Sequence, residues 1–397
     1  MQEYVSITDQ PEFAGLKVID TDTHWSEPPD LWTSRAPAAY KNKVPRIEQT
    51  EQGPYWVVGE EATPIQPGSP VSVISKTGEK IYGGYFYASR YGDVHEASWD
   101  CKERLKFMDA LGIHAQILYP NVGGLGLTYF KSDDNTLKTL VTDIYNAAAE
   151  EIQESTGGRV LPMRVIPFWD IKAAVANVER AAKVGMKGVV LGADVHEARL
   201  PDLSDPHWYP LWEACQHHEL PINFHIAGSP SGYQVLDAAA WPSRGVEATL
   251  ALQSASMSFD NARAIGNLIL GGVPERFPTL KFVSVESGVS WLPFYLESLD
   301  YQLTENIPHE ASALTMKPSE YFKRQFYATF WFEKHLASAI DYLGADRIMF
   351  ETDFPHATCL YPNPVSFLRE SIGSLDNETR SQLLQNTAAA VYNIDLN

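Results

Sequence analysis

Residues 16–25 read LKVIDTDTHW. A largely apolar, β-branched segment runs directly into Asp22, Thr23 and His24. A doubly wound open sheet would normally carry a glycine-rich phosphate turn at this point. Here the first strand delivers an acid and an imidazole instead. Side chains two apart on a strand point to the same side, so Asp22 and His24 can reach one ion together. An oxygen anion beside an imidazole suits Zn²⁺, Mn²⁺ or Fe²⁺. Asp20 shares their parity but lies about 7 Å further down, which marks it as a buried supporting group.

Outward from this stretch, seven more apolar runs have strand character: 115–119 (AQILY), 164–168 (RVIPF), 188–191 (GVVL), 221–225 (PINFH), 281–286 (KFVSVE), 326–329 (FYAT) and 347–353 (RIMFETD). Strands covered on both faces read as near-continuous apolar runs. Helix-period segments lie between them, at 98–111, 133–154, 171–184, 206–218, 289–299 and 334–343. Gly112, Gly185 and Gly344 follow three of them as stop signals. Eight strands alternating with helices predict one (β/α)₈ TIM barrel over residues 1–397, with the open sheet as the alternative. Two stretches exceed the repeat. One is an insertion after strand one, about 28–98, with a hairpin at 55–58; the other is a loop excursion at about 228–259. Both follow strand C-termini, the catalytic face of a barrel. A helical segment at 364–391 is expected to pack outside it.

The composition agrees with a large core. Of 397 residues, 44% are hydrophobic and 12% aromatic, which argues against disorder. A net charge of −19 argues against nucleic acid or an anionic membrane as partner. Cys101, Cys215 and Cys359 lie too far apart in sequence for a thiolate zinc motif. Residues 1–12 lack the basic and apolar regions of a signal peptide, and no run of about 18 apolar residues suggests a membrane span. The cytoplasm is the expected compartment.

Two more strand ends carry metal-ligand chemistry. His225 ends the fifth strand, and Asp353 ends the eighth within ETDFPH, 351–356. Alone, His225 reads as a core histidine and Asp353 as a helix cap. At the C-termini of strands one, five and eight, the three motifs together point to a metal. Glu286 ends the sixth strand, where a buried carboxylate must be paired, protonated or metal-associated. It is a candidate base or acid, or one half of a structural ion pair. Arg104, Arg164 and Arg46 are candidates to pair with a substrate carboxylate. His196, His309 and His356 are possible pocket residues, and Trp25, Tyr119, Trp291 and Trp331 possible aromatic walls.

The stretches 19–28 (IDTDTHWSEP), 104–120, 209–225, 282–294 and 347–356 (RIMFETDFPH) resemble the amidohydrolase-related (amidohydrolase 2) family. That branch includes aminocarboxymuconate-semialdehyde decarboxylase and the resorcylate-type decarboxylases. The resemblance implies a barrel with one divalent metal ion held by Asp22, His24, His225 and Asp353. The expected catalytic residues are Asp353, Glu286 and His225. The family commonly has His-x-His or Glu-x-His on the first strand; the Asp here hardens the site, so Mn²⁺ stands beside Zn²⁺, the expected metal. Its decarboxylases carry a catalytic His in an H-x-G motif where this chain has Glu286-Ser-Gly288, with one residue more before Leu292-Pro-Phe294.

The implied activity is non-oxidative decarboxylation of a small aromatic or unsaturated carboxylic acid. A metal-dependent hydrolase of a C–C, ester, lactone or amide bond is the second reading. A non-catalytic metal- or ligand-binding barrel is the third. The resemblance also implies a homodimer acting on a small molecule.

Overall fold

The computed structural model describes residues 4–51, 53–83, 90–123, 134–228, 243–306 and 309–396. Strand β1 (Val18–His24) leads into the insertion, which folds as an antiparallel sheet of β2 (Arg46–Thr50), β3 (Gly53–Val58) and β4 (Thr63–Pro67). The expected hairpin is thus part of a three-stranded sheet. The barrel resumes with β5 (Ile113–Tyr119), β6 (Val160–Pro162), β7 (Arg164–Val165), β8 (Val189–Val190), β9 (Ile222–His225), β10 (Phe282–Val285), β11 (Phe326–Phe330) and β12 (Ile348–Phe350).

Neighbouring barrel strands pair in parallel, β1 with β5, β5 with β6, and β7 through β12 in chain order. Only Met163 separates β6 from β7, so together they fill one barrel position. Pro162 has no N–H for the ladder, and Met163 N donates to Leu118 O instead. The third strand therefore starts at Val160, four residues before the expected 164–168 run. Closure runs between first and last strands: Asp353 N donates to Asp22 O (3.0 Å) and His24 N to Phe354 O (2.7 Å). Those bonds sit at the site itself, so closing the barrel also sets its ligands.

Helices cover the outside, several capped by an acid. Asp100, Asp134 and Asp170 each accept two backbone N–H groups at a helix start. Helices outside the expected set include Val246–Met257, Asp260–Leu270 and Pro318–Gln325. The first falls in the expected loop excursion, of which residues 229–242 lie outside the described residues. The C-terminal segment forms helices Pro364–Ile372, Asn377–Ser381 and Thr387–Tyr392, with a π-turn at Gln382–Asn386. It does more than pack outside the barrel. Donors just before three strands bind it: Lys17 N to Gln385 Oε1, Lys187 Nζ to Asn393 O and Lys281 Nζ to Ala390 O. It therefore closes the N-terminal mouth. Among the described residues, no helix is long and apolar enough to cross a membrane.

Candidate metal centre

Asp22 and His24 leave β1 on the same side, and both are fully buried. His225 arrives from the end of β9, with its Nε2 3.1 Å from His24 Nε2. Asp22 approaches both rings, at 3.5 Å from His24 Nε2 and 3.4 Å from His225 Nε2. Asp353 Oδ1 lies 3.6 Å from His24 Nε2. All four residues expected as ligands converge at the C-terminal end of the barrel.

Backbone carbonyls orient the two rings. His225 Nδ1 lies 2.7 Å from Ile226 O, and His24 Nδ1 lies 3.4 Å from Pro120 O. With a proton on each Nδ1, both Nε2 lone pairs face the same point. Burial lowers both rings, His225 to about 4, so they are neutral at neutral pH. Two lone pairs 3.1 Å apart repel unless a cation lies between them. Buried Oδ1 of Asp353 has His356 Nδ1 at 3.0 Å, whereas both carboxylate oxygens of Asp22 are buried without a hydrogen-bond partner among the described residues. Orphaned acceptors of this kind are costly in a protein interior. Two imidazole nitrogens and two carboxylates fit a divalent transition metal.

Glu286 joins this group. Its Oε2 lies 3.2 Å from His225 Nε2 and 4.0 Å from His24 Nε2. One ligand atom each from Asp22, His24, His225 and Glu286 lie within 4.8 Å of one another. Glu286 and Asp353 both adopt left-handed backbone, with φ of 53° and 58°. Such strain in non-glycine residues persists where the surroundings over-determine it, often at functional sites. Thr329 Oγ1 and Glu351 Oε2 both accept from Glu286 N, holding that turn.

His356 is the pocket histidine that the fold brings in. Its ring stacks on His24 with centroids 3.6 Å apart. Its Nδ1 lies 3.0 Å from Asp353 Oδ1 and its Nε2 2.8 Å from Asn121 Oδ1. Beneath the ligands, Asp20 is the supporting group expected of it. It accepts from Gln116 Nε2, Thr352 N and Thr352 Oγ1. Glu351 and Asn121 went unassigned in the sequence. Glu351 has the parity of Asp353, a visible signal; Asn121 has no comparable signature.

The arginines are not gathered in. Arg104 is fully buried and donates to Ala97 O, His24 O, Ser98 O and Thr23 Oγ1. Its guanidinium fixes the backbone of a ligand, which corrects the expectation that it pairs with a substrate carboxylate. Arg164 is likewise corrected: it pairs with Glu150 at 2.8 Å and donates to Asn177 Oδ1, both on flanking helices. Arg46 bonds within the inserted sheet to Glu48 and to Val44 and Gly59 carbonyls. Exposed His196 lies beside Asp194, and exposed His309 sits in a short 3₁₀ turn.

The aromatics divide. Tyr119 is buried against His225, ring centroids 5.2 Å apart. Trp331 is buried with its indole N–H unpartnered. Trp25 is buried and donates to Trp99 O. Trp291 is half-buried between Phe259 and Tyr295 and donates to Ser287 O.

Metal uptake by the metal-free protein is expected to release protons. Burial, then repulsion among neighbouring carboxylates, holds Asp22 and Glu286 well above the usual carboxylate range; burial and Asp22 do the same to Glu351. Asp22, as a candidate ligand, has a proton to give up to the ion, whereas the neutral histidines have none. Metal affinity should therefore rise with pH. For folding, the buried carboxylates bind more protons in the metal-free folded chain than unfolded, while His24 and His225 bind fewer between about pH 4 and 6.5. The carboxylate contribution to stability should fall as pH rises from about 4, the unfolded carboxylate value, through about 7, where buried Asp20 titrates. Titration calorimetry in two buffers of different ionisation heat checks the release; identical heats would contradict it.

The amidohydrolase family model matches residues 19–394. The chain therefore belongs to the amidohydrolase family and is one of its enzymes. Among characterised relatives, the γ-resorcylate decarboxylase of Polaromonas sp. is 26% identical over 262 residues, 64% of this chain and 76% of that protein. Among solved structures, an amidohydrolase of Mycobacterium avium subsp. paratuberculosis has a TM-score of 0.73 at 21% identity, covering 96% of this chain and 99% of its own. A dihydroxybenzoic acid decarboxylase of Polaromonas sp., solved with manganese and the inhibitor 2-nitroresorcinol, has a TM-score of 0.62 at 18% identity, covering 95% and 97%. These likenesses establish the barrel fold.

Proposed function

We propose that this chain is a non-oxidative carboxy-lyase acting on a small aromatic or unsaturated carboxylic acid. The observation that carries the reading is the approach of His225, Asp22 and Asp353 to His24 Nε2 at 3.1, 3.5 and 3.6 Å, with both carboxylate oxygens of Asp22 buried and without a hydrogen-bond partner among the described residues. These four residues would hold one divalent ion, Zn²⁺ or Mn²⁺; the manganese in the Polaromonas enzyme supports the latter. Such an ion supplies a Lewis acid for a substrate carboxylate and an adjacent phenol or enol oxygen.

Glu286 stands where the family's decarboxylases have their histidine. Its carboxyl lies beside His225, and burial favours the protonated form. A carboxylic acid kept protonated near neutrality can act as proton donor. Glu286 delivers its proton to the ring carbon bearing the carboxylate. The bond to the carboxylate carbon then breaks, its electron pair restores conjugation, and CO₂ leaves. Tyr119 and Trp331 form apolar walls near the strand ends. His356 orients Asp353 from one side. We read the chain as a single cytoplasmic barrel domain that works as a homodimer.

One observation favours a hydrolase as second reading. The His356–Asp353 pair, 3.0 Å apart, can accept a proton from an attacking water. The metal-loaded protein, given hydroxybenzoate-type acids in H₂¹⁸O, separates the two. Release of CO₂ with no solvent oxygen in the organic product is expected. Product carrying ¹⁸O without CO₂ would overturn the lyase reading.

A further inference from the structure

The C-terminal helix Thr387–Tyr392 lies at the N-terminal mouth and sends the Tyr392 side chain into the barrel. Tyr392 is buried, and its hydroxyl donates to Asn223 Oδ1 at 2.7 Å. The hydroxyl of Tyr119 donates to the same oxygen at 3.0 Å. Asn223 Nδ2 donates to Val189 O at 2.9 Å, which settles which end of the amide is the oxygen. Asn223 lies two residues before His225 on β9, so both project into the barrel. Tyr119 ends β5 in register with His24. Its ring lies 5.2 Å from that of His225 and 6.1 Å from that of His24. Tyr392, Asn223, Tyr119 and the two histidines thus form one column through the barrel.

We infer that Tyr392 is a positioning residue of the metal centre, acting through the Asn223 amide and the Tyr119 ring on the direction of the two Nε2 atoms. This rests on the metal-centre reading. Tyr392 touches neither histidine in the hydrogen-bond network; what it removes is the freedom of the amide to turn. Tyr119 would otherwise be the only hydroxyl held at that oxygen, and its ring packs against both histidines. Outer partners of metal ligands typically matter 10–100-fold in affinity. One relay further out, an effect of about tenfold is expected.

The test is Mn²⁺ binding, read from the EPR signal of free Mn²⁺, in Tyr392→Phe, Tyr119→Phe and the double variant, with metal-free Tm measured alongside. Each single variant should bind Mn²⁺ about tenfold more weakly, with a metal-free Tm close to wild type. The double variant should be little weaker than either, because both hydroxyls act through one oxygen. Unchanged affinity in Tyr392→Phe, or effects that multiply, would overturn the inference. His225→Ala is the control. If it loses Mn²⁺ while Tyr392→Phe does not, only the role of Tyr392 falls. If wild type and His225→Ala bind alike, the metal centre and the inference fall together.

Discussion

His225→Ala is expected to abolish stoichiometric metal binding and, with it, turnover. The ring contributes one of two Nε2 donors, 3.1 Å from the other, and its orientation is fixed by Ile226 O. Alanine removes the donor and leaves Asp22 and Asp353 with too few partners to hold the ion. Affinity should fall by more than about 100-fold, beyond the effect of losing an outer partner. Asp353→Ala should behave the same way, since its buried Oδ1 lies 3.6 Å from His24 Nε2 and supplies a carboxylate at the same point. Elemental analysis after dialysis reads the result directly. Wild-type metal content in both variants would mean that the site is drawn wrongly.

Glu286→Gln should separate chemistry from binding. Glutamine keeps the size and the hydrogen-bonding shape but has no acid proton to give. The metal should stay, and turnover should fall by about 10²–10⁴, the usual weight of general acid–base catalysis. The outcome also tests the geometry. Glu286 Oε2 lies 3.2 Å from His225 Nε2, close enough to enter the coordination sphere. A Gln variant that loses metal as completely as His225→Ala would make Glu286 a ligand and transfer the acid role elsewhere.

The convergence of the four candidate ligands was legible because strand parity and strand ends are written in short motifs. Asp22 and His24 need only a period of two to share a side. The barrel was legible through alternating apolar runs and helical segments. The split third strand was harder, since RVLPMRVIPF, 159–168, is apolar apart from Arg159 and Arg164, and its prolines decide where pairing passes from one neighbour to the next. Helix Pro318–Gln325 carried a readable start, Lys-Pro-Ser-Glu with Pro at its first position and Glu320 reaching back to Lys317 N. Arg104 shows the limit of reading residues singly. Its partners are carbonyls of residues 97, 98 and 24, which only the folded chain assembles. A buried arginine that braces a ligand and one that binds a carboxylate look alike in sequence. The role of the last helix was hidden for the same reason, since Tyr392 and Asn223 are 169 residues apart.

The central claim is one catalytic divalent ion between Asp22, His24, His225 and Asp353. Anomalous diffraction at the manganese edge from Mn²⁺-soaked crystals tests it most directly. The expected result is a single strong peak within coordination distance of His24 Nε2 and His225 Nε2, with oxygen of Asp22 and Asp353 also bound and one position left open. Absence of a peak there at saturating Mn²⁺, or a peak whose ligands exclude both histidines, would contradict the account.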